Sequence, residues 1–420
     1  MVQVSFHGAM ASIGCSSVLV DTGGEKILMD YGTKVQEIPP LFPIPVQGKV
    51  DAIIISHAHL DHVGAIPIFS TKKNNCPIFS QGVTKPLSRL LWLDSIKISR
   101  EEGVELPFSR NDVEATLDSF VPVNFRSPFK VHNTKATLFD AGHIPGSALT
   151  YLDAGGKKIL YTGDYKTTDT KLVKGADLKL PEVDVMVTES TYSDREHPDR
   201  KLQEKELVRT VRDTLSRDGV ALISGFAVGR IDELLLVLDS NGIDYPLYVD
   251  GMAKKAITII NQHKNLLKDP KSLDKALEKA QYVADHKMRK KIIKQPGVIL
   301  STGGMLQGGP IVWYIQKLFD KKNCSLTMSG FQVEGTPGKT LLETGRYINK
   351  DIDLEVHMDV KKLNFSSHAS RDDLFEFIKH VNPEKIFCVH GEHTEDFARE
   401  LNEQGFDATA PLANNRIFNL

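Results

Sequence analysis

The stretch "SHAHLDH", residues 56–62, carries four side chains of metal-binding type, His57, His59, Asp61 and His62, within six positions. An extended backbone turns alternate side chains to one face, so His57 and His59 can point together. A turn after them lets Asp61 and His62 open a short helix, "HVGAIP". Two imidazoles on one side and an Asp-His pair on the other suit two adjacent ions. A single ion would leave at least one of the four without a task. Imidazole and carboxylate donors without thiolate fit catalytic zinc, or manganese or iron, better than a structural zinc site. The cluster also follows an apolar run, "VDAIIIS". Polar groups buried there would be costly without a partner.

Two ions need further ligands, one of them bridging. Such residues should stand at strand ends, where loops converge. His143 in "FDAGHIPGS", Asp164 in "ILYTGDY" and His390 in "IFCVHGE" do so, and Asp30 in "ILMDYG" is another strand-end carboxylate. Each alone reads as a turn or capping residue. Together they form a consistent set.

The elements that must position these residues are legible as well. "SSVLVDTGGEKILMDYG" is two apolar runs around Thr22-Gly23-Gly24, a hairpin. "KATLFDAGHIPGSALTYLDAGGKKILYTGDY" predicts three strands, with a turn at Gly155-Gly156. From about residue 198 helices alternate with strands, the pattern of a parallel α/β sheet. "GVALISG", "YPLYVD" and "GVILSTGG" read as strands. Residues 201–217, 231–238, 254–262 and 311–319 read as helices, and "SLDKALEKAQYVADHKMRKKIIK" as one charged helical stretch. Its basic run is expected to be a solvated helix face rather than an RNA groove. The last part returns to strand, loop and helix in "KIFCVHGEHTEDFARELNEQG".

A chain of 420 residues is long enough for two domains, and its 41% hydrophobic and 25% charged residues are those of a globular protein. No apolar run exceeds the five residues Leu234 to Leu238, so no transmembrane helix is expected. The opening "MVQVSFHGAM" lacks the charged start and apolar stretch of a signal peptide. Cys15, Cys76, Cys324 and Cys388 are scattered without a CxxC pair, which fits a reducing cytoplasm. The net charge of −2 gives nucleic acid no support, so a bound polyanion must meet a local positive surface.

HxHxDH with a downstream His and Asp resembles the metallo-β-lactamase superfamily. Nearly the whole chain resembles its β-CASP branch of RNA-processing nucleases. "ILMDYG", "SHAHLDHVGAIP", "GHIPGSA" and "YTGDY" match the four superfamily motifs in order; "TESTY", "FSSHAS" and "VHGE" match motifs A, B and C. The chain looks most like a short archaeal form similar to the cleavage and polyadenylation specificity factor, related to RNase J. No N-terminal KH extension or long C-terminal assembly domain is expected. The resemblance implies an αββα sandwich at residues 1–195 and 352–420, with an α/β β-CASP domain inserted at 196–351. It implies two Zn2+ ions: His57, His59 and His143 on one, Asp61, His62 and His390 on the other, Asp164 between them. Asp30 would orient a ligand. Glu189 and His368 would form a hydrogen-bonded pair at the domain junction. In the DNA-acting branch the motif C position is typically valine; His390 favours RNA.

The expected chemistry follows. Two metals can share a hydroxide at neutral pH and clamp a phosphodiester. Attack in line with the departing 3′ oxygen leaves 5′-phosphate and 3′-hydroxyl ends, and His368, held by Glu189, is the candidate general acid. The insert is expected to lie over the metal face, with Arg230, Gly303 and Gly304 touching single-stranded RNA. Exonuclease and endonuclease action, a homodimer, and partners in an RNA-processing complex all fit this pattern. Two other functions share parts of it. One is a different metallo-hydrolase, or a di-iron oxidoreductase, on the same platform, which the insert and motif B oppose. The other is an RNA-binding scaffold subunit of a 3′-end processing complex, which typically loses metal ligands that are all present here.

Overall fold

The computed structural model describes residues 2–35, 37, 39–71, 74, 76–414 and 416–420. The chain divides into two compact units. One comprises Met1–Asp169, Val173–Glu196 and Ser367–Leu420; the other comprises Thr170–Leu172 and His197–Ser366.

The first unit holds two seven-stranded sheets. Strand Ala52–Ile54 shows why they stack. It is fully buried and pairs in parallel with both Lys26–Met29 and Ile78–Ser80. Its alternating side chains feed two cores: Ala52 and Ile54 join a cluster with residues of the second sheet, such as Leu138, Ile159 and Val187. Ile53 and Ile55 pack outward with Trp92, Val113 and Leu117 of the helices Thr84–Glu101 and Arg110–Asp118. The second sheet is covered likewise by helices Arg371–Val381 and Thr394–Glu403 through Leu374, Phe377, Phe397 and Leu401. The result is an αββα sandwich. The predicted hairpin is present as Val18–Asp21 paired with Lys26–Met29. The three later strands are Thr134–Asp140, Ala148–Ala154 and Lys157–Tyr161, antiparallel in sequence order.

The second unit is built on six strands, all parallel, in the order Ala280–Tyr282, Leu247–Asp250, Gly297–Thr302, Val220–Gly225, Ser325–Met328, Asp359–Lys362. The long charged stretch after residue 271 is not one helix. Helix Pro270–Lys279 gives way to strand Ala280–Tyr282, and a new helix, His286–Ile292, starts where the Asp285 side chain accepts from the Met288 amide. Pairing of Ala280–Tyr282 with Leu247–Val249 outweighs local helix propensity there. The expected return to the sandwich at residue 352 also shifts. Ile352–Glu355 is half of a hairpin with Arg346–Asn349, and Asp359–Lys362 extends the parallel sheet, so the unit runs to Ser366. Thr170–Leu172 belongs to this unit because the Glu233 carboxylate accepts the Lys171 and Leu172 amides at 3.0 and 2.7 Å, and Leu172 O accepts the Lys268 amide at 2.9 Å. Among the described residues, no helix is long and apolar enough to cross a membrane.

Candidate metal centre

In the first unit, strands Ala52–Ile54, Lys157–Tyr161, Val185–Glu189 and Lys385–Val389 end on loops that carry the chemistry. Val185–Glu189 pairs in parallel with both of its neighbours, with Glu189 opposite Val389. Glu189 therefore lies beside the loop that opens with His390. Asp164 reaches the same place because Gly163, at φ +51°, lies against Ser56; a Cβ there would fall 2.5 Å from the Ser56 Cβ.

Two groups of donors form around Asp164. His57, His59, His143 and Asp164 make one; Asp61, His62, His390 and Asp164 make the other; Glu189 and His368 form a smaller third group with the same carboxylate. All seven sequence-predicted ligands thus converge. His59 Nδ1 lies 3.2 Å from His57 Nε2 and 3.1 Å from His143 Nε2. Asp164 Oδ2 is 3.5 Å from His57 Nε2 and 3.8 Å from His143 Nε2. In the second group Asp164 Oδ1 is 3.2 Å from His62 Nε2 and 3.3 Å from His390 Nδ1, and Asp61 Oδ2 is 3.3 Å from His390 Nε2.

These distances fit cations. A tetrahedral ion with nitrogens at about 2.0–2.1 Å sets those nitrogens about 3.3 Å apart. A ring nitrogen carries at most one proton, so the three imidazoles of the first group leave lone pairs turned toward one another, an arrangement that a central cation resolves. Asp164 Oδ1 is buried yet accepts no well-directed hydrogen bond.

The surroundings prepare the donors. Burial, then the neighbouring charges of His62 and His368 respectively, hold His57 and His143 well below the usual imidazole range, neutral as ligation requires. Burial opposes the charge of Asp164, but His390, His62 and His368 outweigh it and keep the carboxyl well below its usual range. His143 Nδ1 donates to Ser367 O at 2.9 Å, which turns Nε2 inward. Asp30 stands behind the ligands. It sits at φ +57°, strained for a non-glycine residue. It accepts from Ser56 N (2.7 Å), Ser56 Oγ (2.6 Å), Tyr161 Oη (2.7 Å) and His62 Nδ1 (2.7 Å). His390 also has positive φ, +52°, and its Nδ1 lies 3.2 Å from Thr191 Oγ1. Sequence reasoning missed Ser56, Tyr161 and Thr191; only their places beside the motif residues could have marked them. Partners of this kind carry tenfold to hundredfold effects on metal affinity. Tyr161→Phe, which removes one of four hydrogen bonds to Asp30, is expected to weaken metal retention about tenfold in a chelator competition, with an unchanged circular-dichroism spectrum.

The Glu189–His368 pair is made. His368 Nδ1 donates to Glu189 Oε2 at 2.9 Å, while Glu189 Oε1 accepts the Tyr165 amide at 2.8 Å. The His368 ring lies 4.6 Å from that of His143, and its Nδ1 is 3.9 Å from Asp164 Oδ2. Arg230, Gly303 and Gly304 belong to the second unit and to neither donor group. Gly303 is explained by its own turn: at φ +121°, a Cβ would fall 2.4 Å from Gly308 O.

An αββα sandwich with His/Asp loops at its strand ends defines a metallo-β-lactamase-fold protein. Residues 12–191 match the family model of the metallo-beta-lactamase superfamily domain, 232–341 that of the Beta-Casp domain, and 353–411 that of the Zn-dependent metallo-hydrolase RNA specificity domain. The chain belongs to the β-CASP family of metallo-β-lactamase-fold proteins. It is 37% identical to the probable RNase MJ4 of Methanocaldococcus jannaschii over 99% of this chain and 100% of that one. It is 34% identical to RNase aCSPSF2 of Saccharolobus solfataricus over 91% of this chain and 78% of that one. The crystal structure of a protein of unknown function from Enterococcus faecalis V583 superposes over 100% of both chains with a TM-score of 0.63 at 13% identity, a likeness of fold alone.

Proposed function

We infer that this chain is a metal-dependent ribonuclease acting in RNA processing or decay. The observation that carries the reading is the pair of donor groups sharing Asp164, with the Glu189–His368 pair 3.9 Å from that same carboxylate. The family and its RNase-named relatives support RNA as the substrate.

Zinc is the metal we propose, two ions per chain, with manganese or iron as the alternatives that the same nitrogen and oxygen donors accept. His57, His59 and His143 would hold one ion, Asp61, His62 and His390 the other, and Asp164 both. Bound there, the ions supply Lewis acidity and a water acidic enough to attack at neutral pH. The chain's own residues do the rest. Asp30 keeps the His62 Nε2 lone pair aimed inward by fixing Nδ1. Glu189 fixes His368 by its Nδ1, so Nε2 carries the transferable proton. As the P–O3′ bond breaks, that proton passes to the departing oxygen. One fragment then ends in a 3′-hydroxyl and the other keeps the phosphate on its 5′ end. Arg230, Gly303 and Gly304 are proposed RNA contacts of the second unit. The four cysteines are all free thiols, in keeping with action in the cytoplasm.

A general acid must be protonated to work. Burial opposes the charge on His368, but Glu189 and then Asp164 outweigh it and hold the imidazole up at about 9. Turnover limited by this proton is therefore expected to be lost as pH rises through the pKa of His368 in the metal-loaded chain. Glu189→Gln removes the largest raising charge. Its kcat profile is expected to fall at lower pH than wild type, and an unmoved alkaline limb would count against the pair.

Direction of cleavage is open to one digestion. A single RNA is prepared with a 5′-triphosphate, 5′-monophosphate or 5′-hydroxyl and labelled at either end. A ladder advancing from the 5′ side marks an exonuclease, internal bands independent of the 5′ group mark an endonuclease, and intact RNA overturns the ribonuclease reading. Sedimentation with and without RNA separates a homodimer from a monomer that assembles on other processing subunits.

A further inference from the structure

In the second unit, the parallel strands end in register: Gly225 beside Thr302, Asp250 beside Ser301, Met328 beside Lys362. From Val220–Gly225 the chain crosses Gly297–Thr302 to reach Leu247–Asp250. From Gly297–Thr302 it crosses Val220–Gly225 to reach Ser325–Met328. The two central neighbours thus send their connections opposite ways, and open parallel sheets bind ligands outside the carboxyl ends of strands at such a point.

Phe226 stands there, first after Gly225. Its ring is wedged between two other loops of the same edge. A Cβ on Gly304 would fall 3.1 Å from the ring's Cε1 and Cζ, and one on Gly330 3.3 Å from its Cε2. No side chain fits in either place without displacing the ring. The two loops are in turn held together by buried Gln332, whose Nε2 lies 2.9 Å from Gly304 O, 3.2 Å from Gly330 O and 3.1 Å from Phe331 O. Yet Phe226 is 40% exposed, and among the described residues it is the one exposed phenylalanine. On the same edge Lys362 sets its ammonium 5.3 Å from the centre of the Phe331 ring.

A ring locked in place by backbone, open to solvent on its remaining surface and accompanied by a cation is what a nucleobase stacks on. The π face loses little freedom on binding, and the cation meets the adjoining phosphate. One ring is too small for a protein-docking patch. We propose that Phe226 is a fixed stacking platform for one nucleobase of single-stranded RNA, with Lys362, at the Phe331 ring on the same sheet edge, for the phosphodiester. The proposal rests on the ribonuclease reading and adds a binding subsite carried wholly by the second unit.

The test uses the full metal-loaded chain and a short cleavage-resistant phosphorothioate RNA carrying one 2-aminopurine, moved stepwise along the strand. Wild type and Phe226→Trp are expected to quench the probe at one position. Phe226→Ala and Phe226→Leu should lose that quench and bind about tenfold more weakly, within the range for one stacked base. Lys362→Gln should lower the salt slope of binding by about one. Phe226→Leu that binds and quenches like wild type overturns the platform, as does wild type that binds RNA without quenching any position. Wild type that neither binds nor cleaves RNA overturns the ribonuclease reading and this proposal with it.

Discussion

Replacing His368 by alanine is expected to leave the bound metal in place and to lower RNA turnover by about 10²–10⁴-fold, the span of a lost general acid. His368 touches the centre only at its margin. Its Nδ1 is 2.9 Å from Glu189 but 3.9 Å from Asp164, beyond the contacts of 3.2–3.3 Å that tie Asp164 to His62 and His390. Removing the ring therefore leaves both donor groups complete. Metal content by mass spectrometry and single-turnover cleavage should separate, the first unchanged and the second collapsed. Leaving groups give a finer discrimination. A substrate with an acidic leaving group needs no proton, so His368→Ala should recover much of its deficit on an aryl phosphodiester and little on RNA. Equal deficits on both would remove the acid role.

Asp164→Asn should act on metal and fold together. Asp164 is the one carboxylate common to both donor groups, and it sits buried among His57, His62, His143 and His390. The amide keeps the shape and loses the charge. Burial opposes a proton on His62, and Asp164 with Asp30 outweighs it, holding that imidazole well above its usual range. Without the Asp164 charge, breaking a buried pair of this kind costs about 3–5 kcal/mol. The variant is expected to lose most of its metal, to cut RNA at least about a thousandfold more slowly, and to unfold at lower denaturant in its metal-free state. Wild-type metal content in Asp164→Asn would contradict the placement of this carboxylate between two ions.

How much of this was legible before the fold was known depends on what made each residue visible. His57, His59, Asp61 and His62 stand out because polar ligands follow a strand that is apolar on both faces. His143, Asp164 and His390 stand out for the same local reason, at the ends of their own strands. Their convergence does not show in the letters: His390 Nε2 lies 3.3 Å from Asp61 across 329 positions of chain. Tyr161 stayed hidden because an aromatic closing an apolar strand reads as core, which its ring also is. Phe226, directly after a buried strand, also gives no sign in the letters of its 40% exposure. The strand Ala280–Tyr282 and the hairpin at Ile352–Glu355 were misread for a related reason. The first pairs with Leu247–Val249, well back in the chain, and the second is followed by Asp359–Lys362, which pairs with Ser325–Met328; such pairing outweighs local propensity.

Neutral His57 and His143 would be ready for ligation, whereas His62, held well above the usual imidazole range by Asp164 and Asp30, would give up a proton on binding a cation. Asp30 retains the other nitrogen through that exchange, at 2.7 Å, which accounts for a carboxylate held at positive φ with four hydrogen bonds.

The central claim is hydrolysis of RNA by residues that hold metal and deliver a proton to the 3′ oxygen. Analysis of the product ends, with and without prior chelation, tests it most directly. The metal-loaded chain is expected to leave 5′-phosphate and 3′-hydroxyl termini and the chelated chain intact RNA, with cleavage restored by added zinc or manganese. Cyclic 2′,3′-phosphate termini, or cleavage that survives chelation, would contradict it.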